Sequence, residues 1–405
     1  MKQSGIPWIG DIPISWEVMP HKRVMHKIKE IQEHYNGEDI ISLTMRGVIV
    51  RDLDAGGKMP TSFDGYQKVY PNNLLQCLFD IDVTPRCVGL IKNEGLTSPA
   101  YSQFEMHSNA YAPYYDYLLR YMDDGKTLLH LSKNLRSSLT ETDFGAIDTC
   151  VPSIVEQQKI ASFLDRKCAE IDEMIALQEK IVEELKAYKQ SVITEAVTKG
   201  LNPDVPMKDS GVEWIREVPE HWEVRRLKYV AERHCQKVTN EVLPYIGLEN
   251  IESFSENYIE TNNEYDISQA QICSVGDVIF GKLRPYLGKA RVIKSEQCCS
   301  SEFVVLRGGE APSYLRYLML SNWFIEIVNA STYGTKMPRA NADFIMNMQV
   351  VVPPMLERKE IECYLNTKCT EIDTLISLKL SKIDSLKEYK KSIIYEYVTG
   401  KKEII

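Results

Sequence analysis

The sequence predicts an α+β fold with an internal repeat, in which two globular domains of mixed helix and strand accompany two long helices. Two observations support this prediction. The stretch 156–198 places apolar residues at steps of three, four and seven and contains no proline or glycine, which is typical of a helix that packs against another long helix. The same pattern recurs at 357–399. The chain is therefore expected to contain two copies of one architecture.

The predicted seam of each long helix is a row of apolar side chains. The seam positions are Ile160, Leu164, Ile171, Ile175, Val182, Leu185 and Val192 in the first copy, and Ile361, Leu365, Ile372, Ile376, Ile383, Leu386 and Ile393 in the second. A helix of about 43 residues is roughly 65 Å long, which exceeds the core of one small domain. Two such helices in one chain are expected to pair with each other as a coiled coil. The spacing alone leaves parallel and antiparallel pairing open.

A second repeat precedes each globular region. The stretches 4–24 and 210–230 share a tryptophan, a proline and a Trp-Glu-Val triplet at matching positions, and we expect the large rings to anchor an irregular tether onto each domain. The predicted segments are a tether (1–20), a globular domain (21–151), a long helix (152–200), a second tether (201–224), a second globular domain (225–352) and a second long helix (353–405).

Within the globular regions, short β-type runs alternate with turn signals, and each region contains one helical pattern. Strands are predicted at 40–43, 48–50, 73–79 and 87–91, with a helix at 114–121; in the second region strands are predicted at 278–280, 290–293 and 303–306, with a helix at 313–329.

The composition is that of an ordinary globular protein, with 44% hydrophobic residues and a net charge of −9. The amino terminus has no apolar segment typical of a signal peptide, so a cytoplasmic protein with reduced cysteines is expected. Neither a phosphate-binding GxxxxGK[ST] motif nor a metal-ligand cluster appears in the sequence. We therefore predict a non-catalytic chain without a cofactor or metal of its own.

Two different domains on a rigid spacer suit a target with two different half-sites, and duplex DNA is the obvious candidate. Basic, amide, hydroxyl and aromatic residues on loops are the groups that contact phosphates and base edges. The candidate DNA-binding residues are Arg46, Arg51, Lys58, Arg86, Thr97, Ser98, Tyr101, Lys133, Asn134 and Arg136 in the first domain, and Lys282, Arg284, Tyr286, Lys289, Arg291, Tyr333, Thr335, Lys336 and Arg339 in the second. For any one of them, the alternative is an ordinary solvated surface residue.

Four phrases carry a resemblance to a known family. The tether SGVEWIREVPEHWEV, the turn GLTSPAY, the stretch GDVIFGKLRPYLGKA and the helix start VPSIVEQQKIASFLD resemble the specificity subunits of type I restriction–modification systems. The resemblance extends over essentially the whole chain. The matching segments follow one another in the order typical of the family and occur twice. One departure is that the second helix begins with Glu-Arg-Lys, where the first has the family's usual Glu-Gln-Gln.

The resemblance implies two target-recognition domains, each reading one half of a split sequence in double-stranded DNA. It implies that the long helices pair antiparallel as a ruler, and that they receive two copies of a DNA adenine methyltransferase subunit that binds S-adenosylmethionine. Motor-nuclease restriction subunits then complete the complex, and the specificity subunit itself is not catalytic. The alternative hypothesis is a coiled-coil scaffold whose globular domains bind proteins, which the acidic net charge would suit.

Overall fold

The computed structural model describes residues 1–54, 60–84, 86–131, 137–238, 243–261, 269–334 and 336–404. Its contacts divide the chain into a first unit, Met1–Leu177 with Lys382–Ile405, and a second unit, Gln178–Ser381. Each long helix is shared between the two units. Each unit therefore holds one globular domain, the beginning of the helix that follows it and the end of the other long helix.

The first domain is built on an antiparallel four-stranded sheet in the order β4-β11-β8-β9. Its strands are β1 (Lys2–Gln3), β2 (Asp11–Ile12), β3 (Glu17–Pro20), β4 (Met25–Ile28), β5 (Ile41–Thr44), β6 (Gly47–Val50), β7 (Gln67–Val69), β8 (Leu74–Gln76), β9 (Val88–Leu90), β10 (Gly95–Thr97), β11 (Ser102–Met106) and β12 (Asp148–Val151). Its helices are α1 (Ala112–Asp124), α2 (Thr127–Leu131) and α3 (Glu141–Ala146), and the long helix α4 (Ile154–Lys199) follows.

The second domain repeats this sheet in the order β16-β22-β19-β20. Its strands are β13 (Met207–Asp209), β14 (Glu217–Pro219), β15 (Glu223–Arg226), β16 (Arg233–His234), β17 (Tyr245–Ile246), β18 (Gln271–Cys273), β19 (Asp277–Gly281), β20 (Ala290–Val292), β21 (Gln297–Cys299), β22 (Phe303–Arg307) and β23 (Gln349–Val352). Its helices are α5 (Pro312–Leu320), α6 (Asn322–Ala330) and α7 (Ala342–Asn347), followed by the long helix α8 (Met355–Val398).

The predicted strands all overlap observed ones, but two predictions from the globular regions are wrong in detail. The helix predicted at 313–329 is broken between α5 and α6, because Ser321 is extended (φ −62°, ψ 150°) and its hydroxyl donates to the carbonyl of Leu318 at 2.7 Å. The GLTSPAY stretch is not wholly a turn, because its first three residues form β10 and pair with β7.

The predicted long helices are confirmed. Helices α4 and α8 each begin two residues before the periodic stretches at 156–198 and 357–399. All fourteen predicted seam residues are buried or half-buried. However, the seam does not pack only helix against helix. Ile160 and Leu164 at the start of α4 belong to the core of the first domain. Their counterparts Ile361 and Leu365 in α8 belong to the core of the second domain.

The two long helices pair antiparallel within each unit. In the first unit, Phe163 packs against Tyr397 with ring centroids 4.4 Å apart, and Lys390 donates to Asp172 at 2.6 Å. Residue numbers therefore rise along α4 as they fall along α8. In the second unit the equivalent pair is Lys189 with Asp373, at 2.7 Å. Antiparallel pairing, which the resemblance implied, is confirmed in both units.

In each tether the tryptophan of the Trp-Glu-Val triplet anchors the chain as predicted, whereas Trp214 of the second tether is 38% exposed. Trp16 and Trp222 are fully buried, and each indole N–H donates at 2.8 Å to the glutamate in the first turn of the following long helix, Glu156 or Glu357. The neighbouring Gln157 is also buried and bonds to backbone groups of its own domain. Its replacement by Arg358 in the second copy therefore changes internal hydrogen bonding. Among the described residues, none of the helices could span a membrane.

Candidate nucleic-acid interface

The loop between β19 and β20 and the segment before α7 lie side by side in the second unit. The backbone N–H of Arg284 donates to the carbonyl of Pro338 at 2.8 Å, and that of Ala340 donates to the carbonyl of Lys282 at 2.9 Å. Tyr333 and Arg339 exchange two backbone hydrogen bonds. Predicted residues from two separate stretches of sequence therefore meet on one surface.

This surface is basic and carries exposed rings. Its members are Lys282, Arg284, Tyr286, Tyr333, Lys336 and Arg339, which we call the second-unit patch. Arg284, Lys336 and both tyrosines are exposed. Burial lowers the pKa of Lys282, and the positive charges of Arg339 and Arg233 lower it further, against the opposing effect of Glu302. Arg339 is also held by Glu302, at 2.6 Å.

Arg284 adopts a left-handed backbone conformation, with φ at +50°. A residue other than glycine held in this region costs on the order of 1–3 kcal/mol, which the surrounding contacts must offset. The carbonyl of Arg284 accepts from the N–H of Leu287 at 3.0 Å, so a tight turn follows it. The turn leaves the guanidinium at the exposed tip of the loop.

Two predicted residues from the same stretch lie apart from the patch. The Lys289 ammonium donates to the carbonyl of Leu248 at 2.7 Å, and burial lowers its pKa. The Arg291 guanidinium donates to the carbonyl of Glu256 and lies over the ring of Tyr258, 5.5 Å from its centroid. Both side chains are half-buried and hold neighbouring backbone in place.

The equivalent loop of the first unit joins β8 to β9 and shares some backbone features with the β19–β20 loop. Asp80 takes the position of Arg284: its φ is +48°, and its carbonyl accepts from the N–H of Val83 at 3.2 Å. The carbonyl of Leu78 accepts from the N–H of Leu139 at 2.8 Å, just as the carbonyl of Lys282 accepts from the N–H of Ala340. The tip of this loop therefore carries a carboxylate where the second unit carries a guanidinium.

The candidates of the first domain are dispersed. Arg46 is exposed at the turn between β5 and β6, Arg51 is half-exposed after β6, and Ser98 and Tyr101 are half-buried around the end of β10. Tyr101 stacks on Phe79, with ring centroids 6.1 Å apart. The structure thus brings Tyr101 next to the β8–β9 loop.

Two of these candidates are not at the surface. Thr97 is fully buried and its hydroxyl donates to the carbonyl of Ile41 at 2.8 Å, so it has no exposed surface with which to contact DNA. The Arg86 side chain is only 17% exposed and lies 3.8 Å from the carboxylate of Asp124. Five other predicted residues, Lys58, Lys133, Asn134, Arg136 and Thr335, lie outside the described residues.

Arg233 lies beside the second-unit patch, although it was not among the residues predicted from the sequence. It is exposed, forms an ion pair with Asp343 at 2.9 Å, and lies close enough to Lys282 to lower its pKa. The repeat contained a usable signal, because Lys27 occupies the matching place in the first domain and forms an ion pair with Glu141 at 3.3 Å.

The long helices expose a second kind of surface. Apolar side chains on α4 and α8 are exposed by between 44% and 77% at positions 201 residues apart, which makes four matched pairs: Val155 with Leu356, Met174 with Leu375, Leu177 with Leu378, and Tyr188 with Tyr389. None of these residues belongs to the predicted seam. The internal repeat therefore extends to exposed apolar positions outside the seam.

Comparison with known proteins relates the chain to a family. The chain is 24% identical over 245 residues to the type I restriction enzyme EcoDI specificity subunit of Escherichia coli, covering 54% of this chain and 54% of that protein. It is 24% identical over 283 residues to the MjaVIII specificity subunit of Methanocaldococcus jannaschii, covering 64% and 63%. The chain thus spans between about half and under two thirds of these relatives' lengths. No family model matches it.

Solved structures share the fold. A chain from a structure on complex assembly and conformational transition of the type I R-M system superposes with a TM-score of 0.70 at 13% identity, over 96% of this chain and 98% of that one. The HsdS subunit from Thermoanaerobacter tengcongensis superposes with a TM-score of 0.54 at 15% identity, over 96% and 98%. The predicted resemblance is confirmed: the chain is similar in sequence to type I specificity subunits over part of its length and shares the fold of the solved ones.

Proposed function

We propose that the chain is the sequence-specific DNA-binding subunit of a type I restriction–modification complex. It reads a bipartite DNA sequence and directs adenine methylation or restriction by partner subunits. The observation that carries this proposal is a repeated scaffold with different loop tips. Both domains hold an exposed left-handed residue after matching strands, yet that residue is Asp80 in one and Arg284 in the other. One scaffold with two tips suits two different half-sites.

The charge distribution supports DNA as the ligand despite the net charge of −9. The second-unit patch concentrates four cations and two exposed rings on two adjoining loops. Arginine donates two hydrogen bonds to the O6 and N7 edge of guanine, and lysine neutralises phosphates. A protein-binding scaffold would not need this concentration of cations and would show no salt-dependent binding to DNA.

The matched exposed apolar residues of the long helices support two copies of one partner, a DNA adenine methyltransferase subunit. S-adenosylmethionine would be bound by that partner, and motor-nuclease subunits would join the assembly; this chain would carry out no bond-making step.

The variants Leu356→Asp and Val155→Asp each place a negative charge at one of two matched exposed positions. Each variant is expected to lose one of two modification subunits, which native mass spectrometry of the co-expressed complex would detect.

The decisive experiment is co-expression with the cognate modification subunit in a host without adenine methylation, followed by methylation-sensitive sequencing. A split motif with a fixed gap, methylated only when this chain is present, is the expected result. An active modification subunit that methylates no split motif would overturn the proposal. The protein-scaffold alternative predicts that the assembled complex shows no salt-dependent DNA affinity.

A further inference from the structure

The second unit contains a connection between the loop proposed to read DNA and its long helices, which the described residues of the first unit do not repeat. We call residues 282–288 the reading loop and residues 252–258 the strap. The strap lies against the reading loop at one point and against the helix pair at another. The inference below rests on the proposed function, because it concerns how that loop is held while it reads DNA.

The first contact joins the strap to the reading loop. The N–H of Phe254 donates to the carbonyl of Gly288 at 3.0 Å, and the Phe254 ring fills the space where a Cβ on Gly288 would lie. Both residues have left-handed backbones, with φ near +54° and +55°. A side chain at Gly288 would therefore be strained by its own backbone and would also collide with the ring.

The second contact joins the strap to the helices. Lys189 on α4 is buried, and its ammonium donates to both carboxylate oxygens of Asp373 on α8 at 2.7 Å. The same ammonium donates to the carbonyl of Phe254 at 2.9 Å. A lysine ammonium has three N–H donors, and these three bonds use all of them. One residue of the strap thus touches the reading loop through its ring and its N–H, and the helix pair through its carbonyl.

A third contact keeps the strap from moving independently. The carboxylate of Glu256 lies 3.6 Å from the buried Arg316 guanidinium, and the carbonyl of Glu256 accepts from Arg291. Arg316 in turn donates to the carbonyl of Ala290, the first residue of β20, at 2.9 Å. The strap is therefore attached through Arg291 and Arg316 to β20, the strand that follows the reading loop.

The first unit supplies a natural comparison. Lys390 and Asp172 repeat the ion pair, but the Lys390 side chain is 29% exposed, against 8% for Lys189. Among the residues that the structure describes, Lys390 donates to Asp172 and to no carbonyl of the first domain. The same cross-helix ion pair is thus attached to a reading loop in one unit only.

We propose that Lys189 is a positioning residue for base recognition by the second domain, acting through Phe254 and Gly288 to hold the reading loop that carries Arg284. Base discrimination at the half-site of the second domain then depends on the Lys189–Asp373 pair of the long helices. Base discrimination at the other half-site does not depend on the Lys390–Asp172 pair.

The test uses the assembled complex with its modification subunits and compares Lys189→Met with Lys390→Met. Each variant keeps an unbranched side chain that ends at Cε, one atom short of lysine, and removes one ammonium from a repeated ion pair. The readout is the ratio of methylation rates on the cognate duplex and on duplexes with one base changed in either half-site. Lys189→Met should lower discrimination at one half-site about tenfold, as expected when a base contact is loosened. Lys390→Met should leave discrimination at both half-sites unaltered.

Phe254→Leu provides a second, independent variant, because it alters the strap without touching either helix. It should reproduce the loss of discrimination at the same half-site, and it decides the question if Lys189→Met does not fold. Arg284→Ala identifies which half-site belongs to the second domain.

The positioning role would be overturned if base discrimination at the second domain's half-site were unchanged in both Lys189→Met and Phe254→Leu. An equal loss of base discrimination in Lys390→Met would also overturn it. A lower melting temperature with unchanged discrimination would also overturn it and reduce Lys189 to a packing residue. These outcomes differ from failure of the proposed function, in which the wild-type complex itself methylates no split motif.

Discussion

The β8–β9 loop and the β19–β20 loop share a left-handed residue at the tip, but that residue carries opposite charge in the two loops. Asp80 and Arg284 occupy the same left-handed position, and in each loop the carbonyl of that residue closes the following turn. The bonds that shape both loops run between backbone groups, so they do not depend on which side chain stands at the tip. The comparison teaches that the scaffold and its recognition surface are physically separable, and a tip can change without refolding the domain.

The largest expected effect tests the shared scaffold. Trp16→Ala and Trp222→Ala each remove a fully buried ring and a 2.8 Å hydrogen bond to the following helix. Each change should destabilise its own unit by about 3–5 kcal/mol, as other buried Trp-to-Ala substitutions do. Calorimetric unfolding of both variants would measure this. A loss confined to one of the two variants would show that the tethers are not equivalent.

The second-largest expected effect is on stability and concerns a core position at which the two domains carry different residues. His21 is fully buried, 4.6 Å from the Phe144 ring, and burial lowers the pKa of its imidazole from 6.5 to about 4. The matching residue of the second domain is the buried Leu227, whose N–H makes the corresponding backbone bond. Since the folded pKa lies below the unfolded one, the neutral imidazole contributes stability above pH 6.5 that is lost as the pH falls towards 4.

His21→Leu should therefore remove this pH dependence from the first unit. The difference in stability between variant and wild type should grow by about 3 kcal/mol between pH 7 and pH 4, in favour of the variant. Urea unfolding at both pH values measures the difference, and other titrating groups cancel because they are common to both proteins. A difference that is independent of pH would mean that His21 is not buried in the neutral form.

A smaller effect tests the loop tips directly. Arg284→Ala should weaken recognition of one half-site only, by about 1–3 kcal/mol if the guanidinium contacts a base edge. Asp80→Ala removes a negative charge and should leave affinity for DNA unchanged or slightly higher. Methylation rates on duplexes altered in one half-site at a time would measure both. Equal weakening at both half-sites by Arg284→Ala would instead indicate a general phosphate contact.

The smallest effect concerns stability at the repeated ion pair. Lys390→Met removes a partly exposed pair and should cost less than about 1 kcal/mol of unfolding free energy. Lys189→Met should cost more, because it leaves the Phe254 carbonyl without this bond and the loss occurs at a buried site. Thermal unfolding of the two variants side by side measures the difference. Equal costs would argue that the strap adds nothing to the second unit.

The sequence by itself determined the long helices, the repeat and seven of the strands. These features depend on residues close together in the chain: the spacing of Ile160 and Leu164 defines a helix face, and Trp16 and Trp222 mark the tethers at matching positions. Such local patterns can be recognised in the sequence without knowledge of the tertiary contacts.

Only the tertiary structure decided which polar residues lie together at the surface. Lys289 and Arg291 share a stretch with Arg284, but their hydrogen-bond acceptors lie 41 and 35 residues away in the chain. Thr97 is buried because its acceptor, the Ile41 carbonyl, lies on another strand 56 residues away. Helix direction was decided in the same way, by pairs such as Lys390 with Asp172. Spacing along the chain carries no information about such distant partners, whereas the folded backbone determines them.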